Sequence, residues 1–244
     1  MPPYQIFAKV YDLFMAETPY KLWTEYIKGM WGKYGLEPEL VLDLGCGTGN
    51  VCLQLAREGY DMIGIDSSVE MLSEASGKSD APMLLLCQDI RSFELYGTVD
   101  SIICVGDCLN YLTEPEDLKK AFKLCKNYLN PGGLFIFDLN TPHKYESALS
   151  ENDFCEISEN AAYIWQNSYD NEKKINEYLI TFFIKNSSGS YDRFEEEHFQ
   201  IAYEDETVME YLEDSGFCLL ETADGDTCME PSRKSLRKIF TARA

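Results

Sequence analysis

The sequence predicts an α/β fold in which a mostly parallel sheet carries helices on both faces. Short apolar runs alternate with amphipathic segments through the first 140 residues, a pattern typical of strands that alternate with helices. The chain has 244 residues, of which 45% are hydrophobic. It is therefore long enough to bury one such core together with a modest insertion.

Two helices are predicted before the first strand. Residues 4–15 place aromatic and aliphatic side chains at helical spacing. The second helix follows Thr18, which can cap it, and Pro19, which suits the first helical position; it ends between Gly32 and Gly35. We expect residues 1–35 to form a helical cap.

Five buried parallel strands are predicted next, because each apolar run ends at a turn or a polar residue. These strands cover residues 40–44, 62–66, 83–87, 101–105 and 134–139. Helices are predicted between them at residues 50–58, 69–75 and 115–129. We assign residues 36–145 to a ligand-binding core.

The pattern changes to longer alternating strands after Pro142. Strands are predicted at residues 163–169, 175–185 and 191–203, with a hairpin turn at residues 186–189. A helix over residues 207–214 that stops at Gly216 and strands at residues 217–222 and 239–243 follow. We expect residues 146–204 to form an inserted antiparallel lid over the substrate, and residues 205–244 to complete the core.

A glycine-rich turn after the first strand carries the functional argument. Residues 41–50 read Val-Leu-Asp-Leu-Gly-Cys-Gly-Thr-Gly-Asn, so Gly45, Gly47 and Gly49 alternate between a strand and a helix. Glycine accepts positive φ and lets a ligand lie against the backbone, and the next helix points free N–H groups at that ligand. The dinucleotide fingerprint G-x-G-x-x-G/A has its third small residue one position later, where Asn50 stands. An NAD or FAD site is therefore disfavoured.

A carboxylate stands where a bound nucleotide needs one. Asp66 ends the second strand, 21 residues after Gly45. An acid about 20 residues beyond such a turn accepts hydrogen bonds from the ribose hydroxyls. Asp66 could alternatively cap the helix that begins at Val69.

These features resemble the class I S-adenosylmethionine (SAM)-dependent methyltransferases, which have a Rossmann-like, seven-stranded sheet. The resemblance rests on five elements that occur in the family's order. They are residues 41–50, residues 66–72 (Asp-Ser-Ser-Val-Glu-Met-Leu), residues 87–90 (Cys-Gln-Asp-Ile), residues 105–112 and residues 129–134 (Leu-Asn-Pro-Gly-Gly-Leu).

The resemblance implies SAM as the cofactor and a role for each element. The glycine turn would cradle the amino-acid part of SAM, with Asp43 near its ammonium group. Asp66 would hold the ribose, and Met71 and Asp89 would contact the adenine. The implied cofactor-binding residues are Tyr11, Trp23, Asp43, Gly45, Cys46, Gly47, Thr48, Gly49, Asp66, Ser67, Met71, Gln88, Asp89, Ile90, Val105, Gly106 and Asp107.

The N-terminal aromatics and inserted strands resemble those of a group of small bacterial methyltransferases, which are distantly similar to the glycine/sarcosine N-methyltransferases. In the latter, N-terminal aromatics cover the cofactor. By this analogy Tyr11 and Trp23 would close over SAM, since an aromatic face suits a sulfonium cation. Both residues fit equally well as core aromatics at helical spacing.

The sequence does not identify the methyl acceptor, although its charge constrains the class. A net charge of -21 disfavours nucleic acid and anionic lipid as partners. A small-molecule acceptor, cationic or with an amine, is therefore favoured. The basic run at residues 233–238 keeps a tRNA or protein acceptor open. A non-catalytic SAM-binding protein would carry the same motifs, and a nicotinamide dehydrogenase is the remaining enzyme alternative.

His198 is the catalytic candidate, because it is the conventional base near neutral pH in the predicted insertion. The alternative is a structural histidine on a strand. His198 shares one strand face with Glu196 and Gln200, whereas Glu195 and Glu197 share the other. The alternation alone leaves open which face meets the cofactor.

Cysteine, histidine and hydropathy patterns complete the expectations. Nine cysteines show no disulfide-like or zinc-like spacing, which suits a reducing cytosol. The two histidines, His143 and His198, are far apart in sequence, so no metal site is expected. No run approaches the roughly 18 apolar residues of a membrane helix, and the N-terminus shows no signal segment. We therefore expect a cytoplasmic protein.

Overall fold

The apolar runs of the chain build two sheets in a computed structural model that describes residues 3–150 and 152–244. The larger sheet contains β1 (Leu40–Leu44), β2 (Asp61–Asp66), β3 (Leu84–Cys87), β4 (Val99–Cys104), β5 (Leu129–Asn140), β10 (Cys218–Asp224) and β11 (Arg237–Arg243). The smaller sheet contains β6 (Phe154–Ile157), β7 (Ala161–Asp170), β8 (Ile175–Lys185) and β9 (Tyr191–Ile201).

The larger sheet has the strand order β10-β11-β5-β4-β1-β2-β3. Strands β1 to β5 pair in parallel, whereas β11 runs antiparallel to both of its neighbours. The order changes direction between β1 and β4, and ligands of open α/β sheets bind beyond the carboxyl ends of the strands at such a switch point. The predicted Rossmann-like, seven-stranded fold is confirmed. The glycine turn and the β4 end lie at this point.

Six α-helices and two shorter helical segments connect the strands in the described residues. They are α1 (Ala8–Phe14), α2 (Tyr20–Lys33), α3 (Asn50–Arg57), α4 (Val69–Lys78), α5 (Pro115–Tyr128), α6 (Asp205–Asp214), a 3₁₀ turn (Cys108–Tyr111) and a π-helical segment (Lys144–Leu149). The predicted start of α2 is wrong. Pro19 occupies the cap position and no side chain caps the helix, so Thr18 does not serve this role.

Side chains that alternate along β5 divide the main core into two layers. Phe135 and Phe137 pack on the face covered by α5 and α6, whereas Leu134 and Ile136 pack with residues of α2 and α3 on the opposite face. The ring centroids of Phe137 and Phe240 lie 5.1 Å apart, with nearly parallel planes. Both faces of the sheet are therefore buried.

A third apolar cluster joins the N-terminal helix to the smaller sheet. Val10 of α1 packs in one cluster with Tyr145, Tyr178 and Phe182. The Phe7 ring lies 5.1 Å from that of Phe182. The N-terminal cap therefore rests on the insertion as well as on the main sheet. No helix in the described ranges is both long and apolar enough to cross a membrane.

We predict that Phe137→Ala lowers the free energy of unfolding by about 3–5 kcal/mol, because it leaves a cavity among stacked aromatic rings. Denaturant titration measures this loss. Tyr96→Ala is the control, since Tyr96 is fully exposed. Equal, small losses for both variants would contradict the described core.

Candidate active site

The glycine turn presents one packed side and one open side. Gly45, Gly47 and Gly49 have φ of 79°, 55° and 74°, a region that disfavours other residues. A methyl group on Gly45 would collide with the Cys108 side chain, whereas open space surrounds the corresponding position at Gly47. The backbone of the turn can therefore meet a ligand at Gly47.

Asp66 joins this turn to the end of β2. Its carboxylate accepts the Gly47 N–H at 2.9 Å and the Ser68 N–H at 2.8 Å. Ser68, rather than Asp66, caps α4, because its hydroxyl oxygen accepts the Met71 N–H at 3.2 Å. Burial raises the pKa of Asp66 despite these hydrogen bonds. Ser68 therefore occupies the cap position, and the alternative in which Asp66 caps this helix is wrong.

Asp43 lies in β1 beneath the turn, with only 2% of its surface exposed. Burial, reinforced by the negative charge of Asp66, raises the pKa of Asp43 to about 7. A cation placed beside Asp43 would favour its ionised form. The sequence shows that an acid stands at this position. Its raised pKa is a consequence of the burial that the fold imposes.

The N-terminal helix is tied to the glycine turn by Asp12. The Asp12 carboxylate accepts hydrogen bonds from Thr48 Oγ1 at 2.6 Å and from Asn50 Nδ2 at 2.9 Å. Lys78 Nζ of α4 lies 2.5 Å from the other carboxylate oxygen. This clamp positions α1 above the turn, and local sequence pattern does not predict it, because its members are 36 and 66 residues apart.

A cavity of about 530 Å³ opens beyond the carboxyl ends of β1, β2 and β4. Its walls include every residue predicted to bind the cofactor except Gly49, which precedes α3 at the cap position and faces Ala75 instead. The predicted residues on the walls are Tyr11, Trp23, Asp43, Gly45, Cys46, Gly47, Thr48, Asp66, Ser67, Met71, Gln88, Asp89, Ile90, Val105, Gly106 and Asp107. Lining residues that were not predicted include Tyr4, Tyr20, Tyr111, Asp226 and Arg237.

The loop after β3 is ordered by its own polar side chains. Gln88 Oε1 accepts the Glu94 N–H at 2.7 Å, and Gln88 Nε2 donates to the Glu94 carbonyl oxygen at 3.2 Å. The Asp89 carboxylate accepts the Arg91 backbone N–H at 2.8 Å and also pairs with its guanidinium, which holds the pKa of Asp89 below its usual range. This loop therefore forms a defined wall of the cavity.

Ion pairs that Arg237 makes with Asp107 and with the buried Asp138 form the floor of the cavity. The Gly106 and Asp107 N–H groups donate to the Asp138 carboxylate at 2.9 and 2.8 Å. The Arg237 guanidinium lies 2.7 Å from Asp138 and 3.4 Å from Asp107. It also lies 5.2 Å from the centre of the Trp23 ring. Trp23 is only 3% exposed, so it is a core aromatic that also lines the cavity.

Acidic groups outnumber basic groups on the cavity wall. The carboxylates are those of Asp43, Asp66, Glu70, Asp89, Asp107 and Asp226, and the cations are Arg91 and Arg237. Both guanidiniums are already paired with carboxylates. Charge on this wall therefore favours a cationic ligand. No cluster of His, Cys, Asp and Glu in the described ranges could hold a metal ion.

The face of β9 that carries His198 points into the protein interior. Glu196, His198 and Gln200 are at most 1% exposed, whereas Glu195 and Glu197 are exposed. This settles which strand face meets the protein interior. Gln200 Nε2 donates to Asp107 at 2.6 Å, so the inserted sheet reaches the cavity floor.

His198 lies one side chain behind the cavity wall. Its Nδ1 is 2.9 Å from the hydroxyl oxygen of Tyr111, and its Nε2 is 3.2 Å from Glu196 Oε2. Tyr111 lines the cavity, and His198 does not. A hydrogen-bonded path from His198 to a ligand in this cavity would therefore pass through Tyr111.

The chain is similar to known methyltransferases along its whole length. Residues 41–133 match a family model described as a methyltransferase domain. The candidate methyltransferase YqeM of Bacillus subtilis (strain 168) is 36% identical over 98% of this chain and 96% of its own length. A crystal structure of a SAM-dependent methyltransferase from Clostridium acetobutylicum ATCC 824 has a TM-score of 0.88 and 33% identity, with 98% of each chain covered.

A more distant similarity covers part of the chain. A glycine/sarcosine N-methyltransferase of Halorhodospira halochloris is 32% identical over 120 residues, which is 45% of this chain and 45% of that protein.

We predict that Asp43→Asn stabilises the ligand-free protein near about pH 8 by up to about 4 kcal/mol. The raised pKa means that folded Asp43 holds a proton that the unfolded chain releases, so its favourable contribution is lost as pH rises through about 7. The gain should therefore shrink as pH falls and vanish below about pH 3, where both states are protonated. Denaturant titrations across this range measure it, and a gain that does not change with pH would contradict the buried carboxyl.

Proposed function

Because the chain belongs to the SAM-dependent methyltransferases, we propose that it methylates a small molecule that carries an amine or another cationic group. The observation that carries this proposal is the excess of carboxylates around a cavity of about 530 Å³, in which Glu70, Asp107 and Asp226 remain besides those that the resemblance assigns to the ammonium group, ribose and adenine of SAM. A volume of this order suits small ligands. Its charge would gather a protonated amine and repel phosphate or carboxylate compounds.

The residues of the cavity fit the cofactor. Open space above Gly47 leaves room for a ligand against the backbone, and the acidic wall suits the net positive charge of SAM. By resemblance to the family, Asp43 would hold the ammonium group, Asp66 the ribose, and Met71 and Asp89 the adenine. Asp66 keeps lone pairs for the ribose, because each carboxylate oxygen accepts more than one hydrogen bond. When bound, SAM supplies an electrophilic methyl group on a positively charged sulfur.

The protein's own contribution is to align the acceptor and exclude water. Orientation of reacting groups is worth about 7–11 kcal/mol in favourable cases. Tyr4 and Tyr11 line the roof of the cavity, and the Asp12 clamp holds their segment on the glycine turn. Because SAM carries both the methyl group and its leaving group, methyl transfer needs no covalent nucleophile from the protein.

The surroundings of the basic run disfavour a nucleic-acid acceptor. Arg237 lies in the cavity floor and pairs with Asp138, and Lys238 pairs with Asp205. Arg233 and Lys234 remain exposed, which is too short a stripe to follow a phosphate backbone. The partial similarity to a glycine/sarcosine N-methyltransferase supports an amine acceptor.

A screen with methyl-labelled SAM and a metabolite extract tests the proposal. We expect S-adenosylhomocysteine to accumulate and the label to enter an amine of low molecular mass. Label in RNA or protein would contradict the acceptor class. Binding of SAM without turnover in any extract would favour a non-catalytic SAM-binding protein, and binding of NAD in its place would favour a dehydrogenase.

We predict that Asp66→Ala weakens SAM binding by about 1–3 kcal/mol, because hydrogen bonds between a carboxylate and the ribose are lost. Calorimetric titration of both proteins measures the difference. Asp61→Ala is the matched control, since Asp61 starts the same strand and is exposed. Unchanged affinity in Asp66→Ala would remove Asp66 from the cofactor site.

A further inference from the structure

A continuous row of hydrogen bonds runs from the cavity wall into the insertion. The hydroxyl oxygens of Tyr4 and Tyr111 lie 2.8 Å apart, and both residues line the cavity. Tyr111 then contacts His198 Nδ1 at 2.9 Å, and His198 Nε2 contacts Glu196 at 3.2 Å. We call Tyr111, His198 and Glu196 the relay array.

Glu196 is held as a carboxylate by donors from the N-terminal segment. Its oxygens accept the backbone N–H groups of Tyr4 at 2.9 Å, Ile6 at 2.6 Å and Phe7 at 3.2 Å. Burial opposes ionisation, but His198 and these three N–H groups lower the pKa of Glu196 below its usual value. Glu196 is therefore an acceptor of hydrogen bonds and not a donor.

When the His198 ring is neutral, the direction of every hydrogen bond in the array follows from this carboxylate. An ionised Glu196 requires His198 Nε2 to carry its hydrogen, which leaves Nδ1 as an acceptor in the neutral ring. The Tyr111 hydroxyl must then donate to Nδ1, and the Tyr4 hydroxyl must donate to Tyr111. A second lone pair on the Tyr111 oxygen stays available to a ligand in the cavity.

An acidic cavity creates a chemical requirement that this array can meet. Such a cavity gathers amines in their protonated form, and a protonated amine has no lone pair with which to attack a methyl group. A base must first remove one proton. Burial, followed by the nearby charge of Asp107, raises the pKa of Tyr111 well above its usual value, so this hydroxyl can pass a proton on but not wait as a phenolate.

We propose, on the basis of the function proposed above, that Tyr111 is a catalytic residue that takes the proton from the acceptor ammonium. As the nitrogen releases its proton to the Tyr111 oxygen, the phenolic proton of Tyr111 moves to His198 Nδ1. The nitrogen gains its lone pair, Tyr111 ends neutral, and His198 becomes an imidazolium opposite the Glu196 carboxylate. His198 and Glu196 act through Tyr111 and are positioning residues.

Glu196 also couples the array to the roof of the cavity. The same carboxylate that orients His198 holds the backbone of Tyr4, Ile6 and Phe7 at the start of the N-terminal cap. The ring of Tyr4 packs edge-on against His198, with centroids 5.1 Å apart. The array is therefore complete when the N-terminal segment is seated over the cavity.

Long-range ¹H–¹⁵N spectra of the histidine rings test the array without any acceptor. The chain has two histidines, so His143→Asn assigns both sets of signals. We expect His198 to carry its hydrogen on Nε2, and Tyr111→Phe to shift the His198 Nδ1 resonance toward that of a nitrogen without a donor. Tyr26→Phe, which removes a partly buried hydroxyl elsewhere, should leave the resonance in place. A hydrogen on Nδ1, or no shift in Tyr111→Phe, would overturn the proposal.

Methyl transfer from labelled SAM to the amine fraction of a metabolite extract tests the catalytic role. We expect Tyr111→Phe and His198→Gln to lower the rate, at saturating SAM and a fixed amount of extract, by about 100-fold or more, the usual contribution of a positioned base. Calorimetry of SAM binding to each variant separates lost binding from lost transfer. A rate unchanged in Tyr111→Phe would overturn the proposal. No transfer by the unmodified protein would instead refute the proposed function, and the histidine spectra would still decide the array.

Discussion

The site depends on one carboxylate that links the segments following two neighbouring strands. Asp66, at the end of β2, accepts the N–H of Gly47 in the turn after β1 and the N–H of Ser68 before α4. Parallel pairing of β1 and β2 brings these segments together, and the three left-handed glycine conformations let the turn face the carboxylate. Removal of the pairing or of a glycine would separate the groups that surround the cavity.

The N-terminal segment forms part of the cavity wall, and the insertion supports that wall from behind. Gln200 of β9 donates to Asp107 on the floor, and Glu196 of the same strand holds the N-terminal segment that forms the roof. Asp12 then ties that segment to the glycine turn. Because hydrogen bonds and ion pairs within the protein fix these groups, the cavity walls are organised before a ligand enters.

Local patterns predict much of the fold and the part of the site formed by the glycine turn and Asp66. Strand β1, the glycine turn and Asp66 follow from residues that are close in sequence, so their spacing alone reveals them. The four residues of edge strand β6 are all exposed and lack the alternation that predicts a strand, so it was missed. Arg237 meets Asp107 across 130 positions of sequence, and His198 lies behind Tyr111. Contacts of this kind depend on the packing of separate elements, which periodicity does not encode.

The most direct test is a crystal structure of the protein with saturating SAM. We predict the amino-acid part of the ligand on the glycine turn near Asp43, with both ribose hydroxyls against the Asp66 carboxylate. Density for the ligand at any other place, or a cavity that stays vacant beside Gly47 and Asp66, would contradict the account.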